Sequence, residues 1–154
     1  MGLIDKRLAE LGITLPKPPA PVASYVPAVI TGNLVFISGQ VCTDGKGNFI
    51  TGKVGAELDL EQGKAAARSC GLNTLAQLQA ALGDLDRVKR CVKLVGFVNS
   101  VPDFRDHPKV INGASDLMFE VFGEAGKHAR SAVGAGSLPL NTSVEVESIF
   151  EIEA

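Results

Sequence analysis

Two helical segments of this chain each lie between strand-like segments, and this order restricts the fold more than any other feature. From residue 25 onward, the predicted order is β, β, β, α, β, α, β, β. Helices that connect strands in this way can pack side by side on one face of a sheet. The sequence therefore predicts an α+β domain of two layers, with two helices on one face of a mixed sheet.

The first of these helices has clear start and stop signals. Asp59 and Gln62 have the spacing of a capping box, and Gly83 follows a helical pattern that runs to about Leu82. Its predicted buried stripe consists of Ala67, Cys70, Leu75, Leu78 and Leu82. The second helix is predicted between Pro108 and Phe122 and ends at Gly123.

The strand-like segments are short, apolar and separated by turn residues. Residues 26–30 and 34–40 flank a Thr-Gly-Asn turn and predict a hairpin. A second turn at 44–48 precedes a short strand at Phe49 and Ile50. The remaining strands are predicted at 88–98, about 129–135 and 143–152.

The N-terminal residues have a different character from the rest of the chain. Residues 3–11 predict a short helix that ends at Gly12, with one apolar face formed by Leu3, Ile4, Leu8 and Leu11. Residues 15–21 contain too many prolines for a helix or a central strand. We interpret residues 1–21 as a helix and a proline-rich arm that wraps the domain, and residues 22–154 as the domain itself.

Charge and apolar run lengths exclude several classes of function. The 154-residue chain has a formal net charge of −2 and no run of Lys or Arg, which argues against a nucleic-acid binder. Apolar stretches stay below the ~20 residues that a membrane helix needs. The first residues lack the apolar region of a signal peptide, so a cytoplasmic protein is expected.

Motifs for metals and nucleotide cofactors are also missing from the sequence. There are two histidines and no Cys-x-x-Cys spacing, so neither a metal nor a cofactor is expected. The three cysteines are expected to be free thiols. Cys70 and Cys91 fall on apolar patterns and are expected to be buried, whereas Cys42, near a turn, is expected to be the most exposed.

The strongest candidates for chemistry are Arg130 and Glu145. Each belongs to one of two strand-like runs joined by a Leu-Pro turn, and such runs can lie side by side and bring the two residues together. A guanidinium binds a carboxylate through two parallel hydrogen bonds, and a nearby glutamate can move a proton. The alternative is that Arg130 is a solvent-facing arginine and that Glu145 belongs to the wet face of an edge strand.

Four other residues are weaker candidates. Ser38, Gly39 and Gln40 end an apolar strand and can bind a carboxylate, although strand-end hydrogen bonding is the commoner use of such residues. Tyr25 is the one tyrosine, and it can form an aromatic wall for a ligand or be part of the core.

These landmarks together resemble the RidA/YjgF family of small imine deaminases. The matching pieces, which lie within residues 22–153, are Tyr25 before an apolar run, Gly-Asn-Leu-Val-Phe-Ile-Ser-Gly-Gln at 32–40, Leu-Asp-Arg-Val at 85–88, Ala-Arg-Ser at 129–131, Leu-Pro at 138–139 and Val-Glu-Val-Glu at 144–147. The resemblance implies a chorismate-mutase-like subunit that forms a homotrimer, with a closed inner barrel and ligand clefts between subunits. It also implies hydrolysis of 2-imino or enamine acids, such as 2-iminobutanoate and 2-iminopropanoate, to 2-oxo acids and ammonia without a cofactor or metal.

The resemblance also assigns roles to individual residues. Arg130 matches the arginine that holds the substrate carboxylate, and Glu145 matches the acidic residue that positions the attacking water. Tyr25, Ser38 and Gly39 match positions at the ligand cleft.

The chain departs from the usual family pattern in three places. Ala132 stands where many members have cysteine, although its backbone carbonyl could still contact the substrate. The connection at residues 105–109 is longer than usual, which leaves open whether Asn112 or Ser115 occupies the position where the family often has asparagine. The N-terminal residues are additional, so the chain resembles a divergent member.

Two other functions are compatible with the same residues. A metabolite-binding trimer of this fold would hold a small carboxylate through Arg130 without turning it over. An endoribonuclease, an activity also attributed to some relatives, is disfavoured by the acidic balance and by the lack of a general-base histidine beside Arg130, although His128 is close in sequence.

Overall fold

The computed structural model describes residues 1–18, 20 and 23–153. Pro19 and Pro21 of the predicted arm, Val22 at the predicted domain start and Ala154 lie outside the described residues. The helices and strands in chain order are α1 Leu3–Glu10, β1 Ala28–Thr31, β2 Leu34–Val41, α2 Leu60–Leu82, β3 Val88–Asn99, α3 His107–Phe122, β4 Ala129–Ala135 and β5 Val144–Ile152.

The five strands form one mixed sheet in the order β1-β2-β5-β3-β4. β3 and β4 are parallel, whereas the other neighbouring pairs are antiparallel. The hairpin of β1 and β2 is confirmed, with Thr31 paired to Leu34 across the turn. The predicted short strand at Phe49 and Ile50 is wrong, because Phe49 makes only an isolated bridge to Thr43 across the turn.

Helices α2 and α3 pack on the same face of the sheet, which confirms the predicted two-layer arrangement. Alternate residues of the central strands are buried beneath them, among them Leu94 of β3 and Val146 of β5. All five residues of the predicted α2 stripe are buried as well. The helices come close together at Gly113, where an added Cβ would overlap the carbonyl oxygen of Lys64. Glycine is needed there because the backbones approach each other directly.

The ends of the two long helices follow the sequence signals. The Asp59 carboxylate accepts from the Gln62 amide at 2.8 Å, and the Gln62 side chain accepts from the Asp59 amide at 2.9 Å. Gly83 ends α2 with a φ of 80°, a conformation that disfavours other residues. α3 also ends at Gly123, as predicted. None of the helices in the described ranges combines the length and apolarity needed to span a membrane.

The N-terminal helix is attached to the domain partly through its backbone. The Asp86 carboxylate accepts from the amides of Leu3 and Ile4 at 2.9 and 2.8 Å, close to the favourable end of the helix dipole. Leu8 is buried in the core, whereas Leu3, which belongs to the same predicted apolar face, is 76% exposed. The bonds to Asp86 anchor the first turn through its amides and leave the Leu3 side chain outside.

All three cysteines are buried free thiols, so the expectation that Cys42 is exposed is wrong. The chain after β2 turns inward, where the Cys42 amide donates to the Val144 carbonyl and its thiol to the Ile50 carbonyl. A hydrogen bond from the Cys70 thiol lowers the pKa of Cys42 to about 7, although burial opposes this shift. Burial raises the pKa of Cys91 to about 12.

Candidate active site

Arg130 and Glu145 do not lie together within one chain, so the predicted pairing of their strands is wrong. β3 lies between β4 and β5, since α3 returns the chain to the sheet edge and β4 pairs there in parallel with β3. Arg130 pairs with Leu94 of β3 across the neighbouring strands, whereas Glu145 pairs with Phe97 of β3. Two strand spacings and three residues along the strand separate their Cα atoms by about 14 Å. The two side chains also project from opposite faces of the sheet, because Arg130 reaches α3 and Glu145 alternates with buried residues.

Arg130 is held against α3 by two side chains of that helix. Its Nη1 donates to the Asn112 Oδ1 at 2.7 Å and to the Ser115 Oγ at 3.1 Å. Both residues that the sequence left as alternatives therefore contact the arginine, because three positions along a helix bring them to one face. Among the described residues, hydrogen bonds of this guanidinium involve Nη1 only. Its Nε and Nη2 edge remains to bind a carboxylate through two parallel bonds.

His128 continues this network and was not predicted as a site residue. Its Nδ1 lies 2.7 Å from the Gly126 carbonyl, and its Nε2 lies 2.8 Å from the Ser115 Oγ. Burial and the Arg130 charge lower the pKa of His128, although its bond to Gly126 opposes this. A neutral ring with the proton on Nδ1 donates to the carbonyl and accepts from Ser115. His128 directly precedes β4 and lies two residues before Arg130, and this spacing was the available sequence signal.

Glu145 is half-buried beside Gly39, at the end of β2. A Cβ added to Gly39 would lie 2.8 Å from the Glu145 Oε2, so the absence of a side chain there makes room for the carboxylate. Burial is the main cause that raises the pKa of Glu145, and the Glu147 carboxylate adds to it. A carboxylate with a raised pKa exchanges protons more readily near neutral pH.

Glu145 lines a cavity of about 610 Å³ that opens where β1 no longer pairs with β2. Tyr25 and Gly39 line the same cavity, so three of the predicted site residues meet here. Tyr25 is more than half exposed and is not part of the core. The predicted N-terminal arm contributes Pro16, Lys17 and Ala20 to the wall.

Ser38 and Ala132 have other surroundings. The Ser38 hydroxyl donates to the Val26 carbonyl at 2.7 Å, which is the strand-end bond that the sequence left as an alternative. Ala132 pairs with Gly96 on β3 and packs partly buried against the core. Neither residue lines the cavity of Glu145.

Two features of the cavity were not found from the sequence. Asn73 and Gln77 of α2 line it, and polar residues four apart in a buried helix were the available signal. Leu140 lines it from the Leu-Pro turn, with a φ of 57°. A left-handed leucine is strained by roughly 1–3 kcal/mol, and such strain is typical of ligand sites.

Comparison with known proteins gives a family match along nearly the whole chain. Residues 5–152 match the family described as "YjgF/chorismate mutase-like, putative endoribonuclease". The matched range begins within α1 and includes residues 15–21.

Individual relatives cover most of the chain as well. It is 49% identical over 152 residues to protein TCP17 of Trypanosoma cruzi, covering 98% of this chain and 95% of the relative. It is 33% identical over 142 residues to a 2-iminobutanoate/2-iminopropanoate deaminase of Dermatophagoides farinae, covering 92% and 95%.

A solved structure supports the same assignment. The fold matches that of Atu1372 from Agrobacterium tumefaciens, a protein of unknown function, with a TM-score of 0.89 and 48% identity. The match covers 99% of this chain and 93% of that one. From the family match, the relatives and the shared mixed α+β fold, this chain belongs to the RidA/YjgF family.

Proposed function

We propose that this protein hydrolyses reactive 2-imino acids and their enamine tautomers to 2-oxo acids and ammonia. The observation that carries the proposal is the Arg130 guanidinium, which Asn112 and Ser115 hold with one edge left for a ligand. Charge-assisted hydrogen bonds contribute roughly 1.5–3 kcal/mol each, enough to orient a small carboxylate. The deaminase from Dermatophagoides farinae supports this reaction class for the chain.

The proposed site lies between two subunits of a homotrimer. Arg130 lies on the edge strand β4, whereas Glu145 lies in the cavity near the β1 and β2 side of the sheet. Contact between subunits can bring Arg130 of one copy to the cavity of the next. The face of the sheet that lies opposite the helices supports association, because Val29, Phe36 and Val133 are 50%, 41% and 44% exposed on it. Exposed apolar side chains of this kind are typical of subunit interfaces.

The reaction requires an oriented substrate, a bound water molecule and a group that transfers protons. Arg130 holds the substrate carboxylate, and Glu145 positions the water and takes its proton as the oxygen attacks C2. The electron pair of the C=N bond moves to nitrogen, which takes up the proton held by Glu145 to give a carbinolamine. This intermediate collapses as the hydroxyl proton passes through Glu145 to nitrogen, the C–N bond breaks and the C=O bond forms, with loss of ammonia. One water molecule is consumed, and no atom is oxidised or reduced.

A coupled assay tests this proposal. A dehydratase generates 2-iminobutanoate from threonine, and formation of the 2-oxo acid is followed with wild-type protein, Arg130→Ala and Arg90→Ala. Arg90 is an exposed arginine of β3 and serves as the matched control. We expect wild type and Arg90→Ala to accelerate the reaction and Arg130→Ala to lose at least about 100-fold in kcat/KM. Equal acceleration by all three proteins would refute the assignment.

The two alternatives give different results in parallel measurements. A metabolite-binding protein would be stabilised thermally by 2-oxobutanoate and would form no product. An endoribonuclease would cleave RNA in a manner that a point substitution abolishes. The structure does not favour RNA cleavage by His128, because both of its ring nitrogens are in hydrogen-bond contact.

A further inference from the structure

The cavity beside Glu145 is much larger than a three- or four-carbon acid requires. Its volume of about 610 Å³ lies within the range of roughly 300–1,000 Å³ typical of pockets for larger ligands. Most of its wall is apolar, and the apolar lining includes Pro16, Ala20, Tyr25, Pro27, Phe49 and Leu140. The polar part of the lining includes Glu145 together with Asn73 and Gln77 of α2.

The wall is built from segments that are far apart in the sequence. The arm follows α1, which is anchored by the buried Leu8 and by the bonds of its first amides to Asp86. Tyr25 precedes β1, and Phe49 pairs with Thr43 in a β-bridge. The anchored helix α1 and the bridged turn at Phe49 hold their parts of the wall without a ligand.

Leu140 gives the clearest indication of what the cavity binds. It is 70% exposed, although it lines the cavity, and its backbone is left-handed at a φ of 57°. The neighbouring backbone is held by bonds from the Asn141 amide to Leu138 and from the Thr142 amide to Pro139, at 3.1 and 3.0 Å. The turn therefore keeps a large apolar side chain in an exposed and strained position. Burial of that side chain against an apolar ligand would favour binding.

We infer that the substrate is a 2-imino acid with an extended apolar side chain, such as one derived from leucine or phenylalanine. The inference rests on the proposed hydrolysis and specifies the substrate class of the same site. The substrate side chain lies against Tyr25, Phe49 and Leu140, and Pro16, Lys17 and Ala20 form part of the outer wall. An imine derived from alanine leaves this apolar surface uncovered.

The test compares imines that differ only in their side chains. An L-amino-acid oxidase generates the imines of alanine, leucine and phenylalanine, and kcat/KM for hydrolysis of each is measured. We expect wild type to favour the leucine and phenylalanine imines over the alanine imine by roughly tenfold or more, the scale of a few buried methylene groups. A preference for the alanine imine, or equal values, would overturn the inference and leave the proposed hydrolysis intact.

Substitutions at Leu140 separate the effect of its apolar side chain from the effect of its backbone strain. Asparagine tolerates the left-handed conformation, so Leu140→Asn removes the apolar surface without adding strain. We expect it to lower the ratio of kcat/KM between large and small imines by about tenfold, whereas Leu140→Met keeps the ratio. Leu3→Asn, at an exposed leucine away from the cavity, is the matched control and keeps the ratio. An unchanged ratio in Leu140→Asn would overturn the role of Leu140.

A binding measurement keeps the test independent of turnover. If no imine is hydrolysed, the proposed hydrolysis fails, and thermal stabilisation by 4-methyl-2-oxopentanoate is compared with stabilisation by pyruvate. Stabilisation by the larger acid alone, lost in Leu140→Asn, would support the apolar ligand class for this cavity. Equal stabilisation, or none, would overturn it.

Discussion

Arg130 and Glu145 lie on opposite faces of one sheet, and strand β3 separates the strands that carry them. A reaction that uses both residues therefore needs two copies of the chain. In a site shared between neighbouring subunits, each of the two residues comes from a different subunit. This relationship leads to a prediction about mixed oligomers that does not depend on the identity of the imine.

Coexpression of Arg130→Ala and Glu145→Gln subunits should restore activity that neither variant has alone. If the proposed trimer assembles at random from equal amounts of the two variants, about a quarter of the shared sites combine an intact Arg130 with an intact Glu145. We expect about a quarter of the wild-type kcat per site, measured on purified mixed oligomers. Mixtures as inactive as the single variants would show that the two residues do not share a site between subunits.

Asn112 should act on substrate binding through Arg130. Its Oδ1 accepts from the arginine at 2.7 Å, so Asn112→Ala frees the guanidinium to move. Loss of one hydrogen bond to a charged group predicts a fall in kcat/KM of roughly tenfold, mostly through a higher KM. Lys109→Ala, at an exposed position of the same helix, is the control and should change neither constant. A fall in kcat at constant KM would contradict the positioning role.

The network at His128 should depend on pH. Burial and the Arg130 charge lower the pKa of the ring, so the neutral form is favoured in the folded protein. The corresponding stability is fully present above the ordinary value of 6.5 and is lost as pH falls through the lowered pKa. We expect the free energy of unfolding of wild type to fall relative to His128→Gln below pH 6.5, measured by urea denaturation at several pH values. If the difference in unfolding free energy between wild type and His128→Gln stayed constant across this range, ionisation of His128 would not affect stability.

Glu145 should show the opposite dependence, because its pKa is raised. The stability linked to its protonated form is fully present below its ordinary value of 4.5 and is lost as pH rises through the raised pKa. Glu145→Gln should therefore be more stable than wild type at neutral pH, and this advantage should disappear below pH 4.5. Glu153→Gln, at an exposed glutamate near the chain end, is the control for a change of net charge. An equal gain in both variants would point to net charge as the cause.

Local sequence signals predicted most of the helices and strands. The relative positions of Arg130 and Glu145 depend on which strands pair, and no local signal encodes that choice. Asp59 and Gly83 marked the ends of α2 correctly, because capping and left-handed glycine act within one turn of the helix. The strand order was missed because β4 follows a helical crossover and pairs in parallel with β3. The sequence could not show this choice, since a turn between two apolar runs is compatible with either partner.

The candidate site was predictable to a similar extent. Arg130, Glu145 and Tyr25 stood out by residue type and resemblance, and the structure places each of them beside polar partners or a cavity. His128 and Leu140 were missed because their roles depend on contacts made by distant segments. A leucine in a turn has no sequence pattern that indicates whether it faces solvent or a ligand cavity.

Gly39 provides a test of the space that Glu145 occupies. A Cβ at position 39 would lie 2.8 Å from the Glu145 Oε2, so Gly39→Ala should displace the carboxylate from the place where we propose that it holds water. Misplacement of a catalytic group by about 1 Å can cost on the order of 100-fold in rate, so we expect a fall of at least tenfold in kcat. The melting temperature should change little, because the carboxylate can move into the open cavity.

Gly136→Ala is the matched control for this substitution. A Cβ at position 136 meets no atom within 4 Å, so the added methyl group should leave both kcat and the melting temperature unchanged. Equal kcat in wild type and Gly39→Ala would show that the position of the Glu145 carboxylate does not limit the reaction. A large loss of melting temperature in Gly39→Ala would instead assign the glycine to the stability of the β2 end.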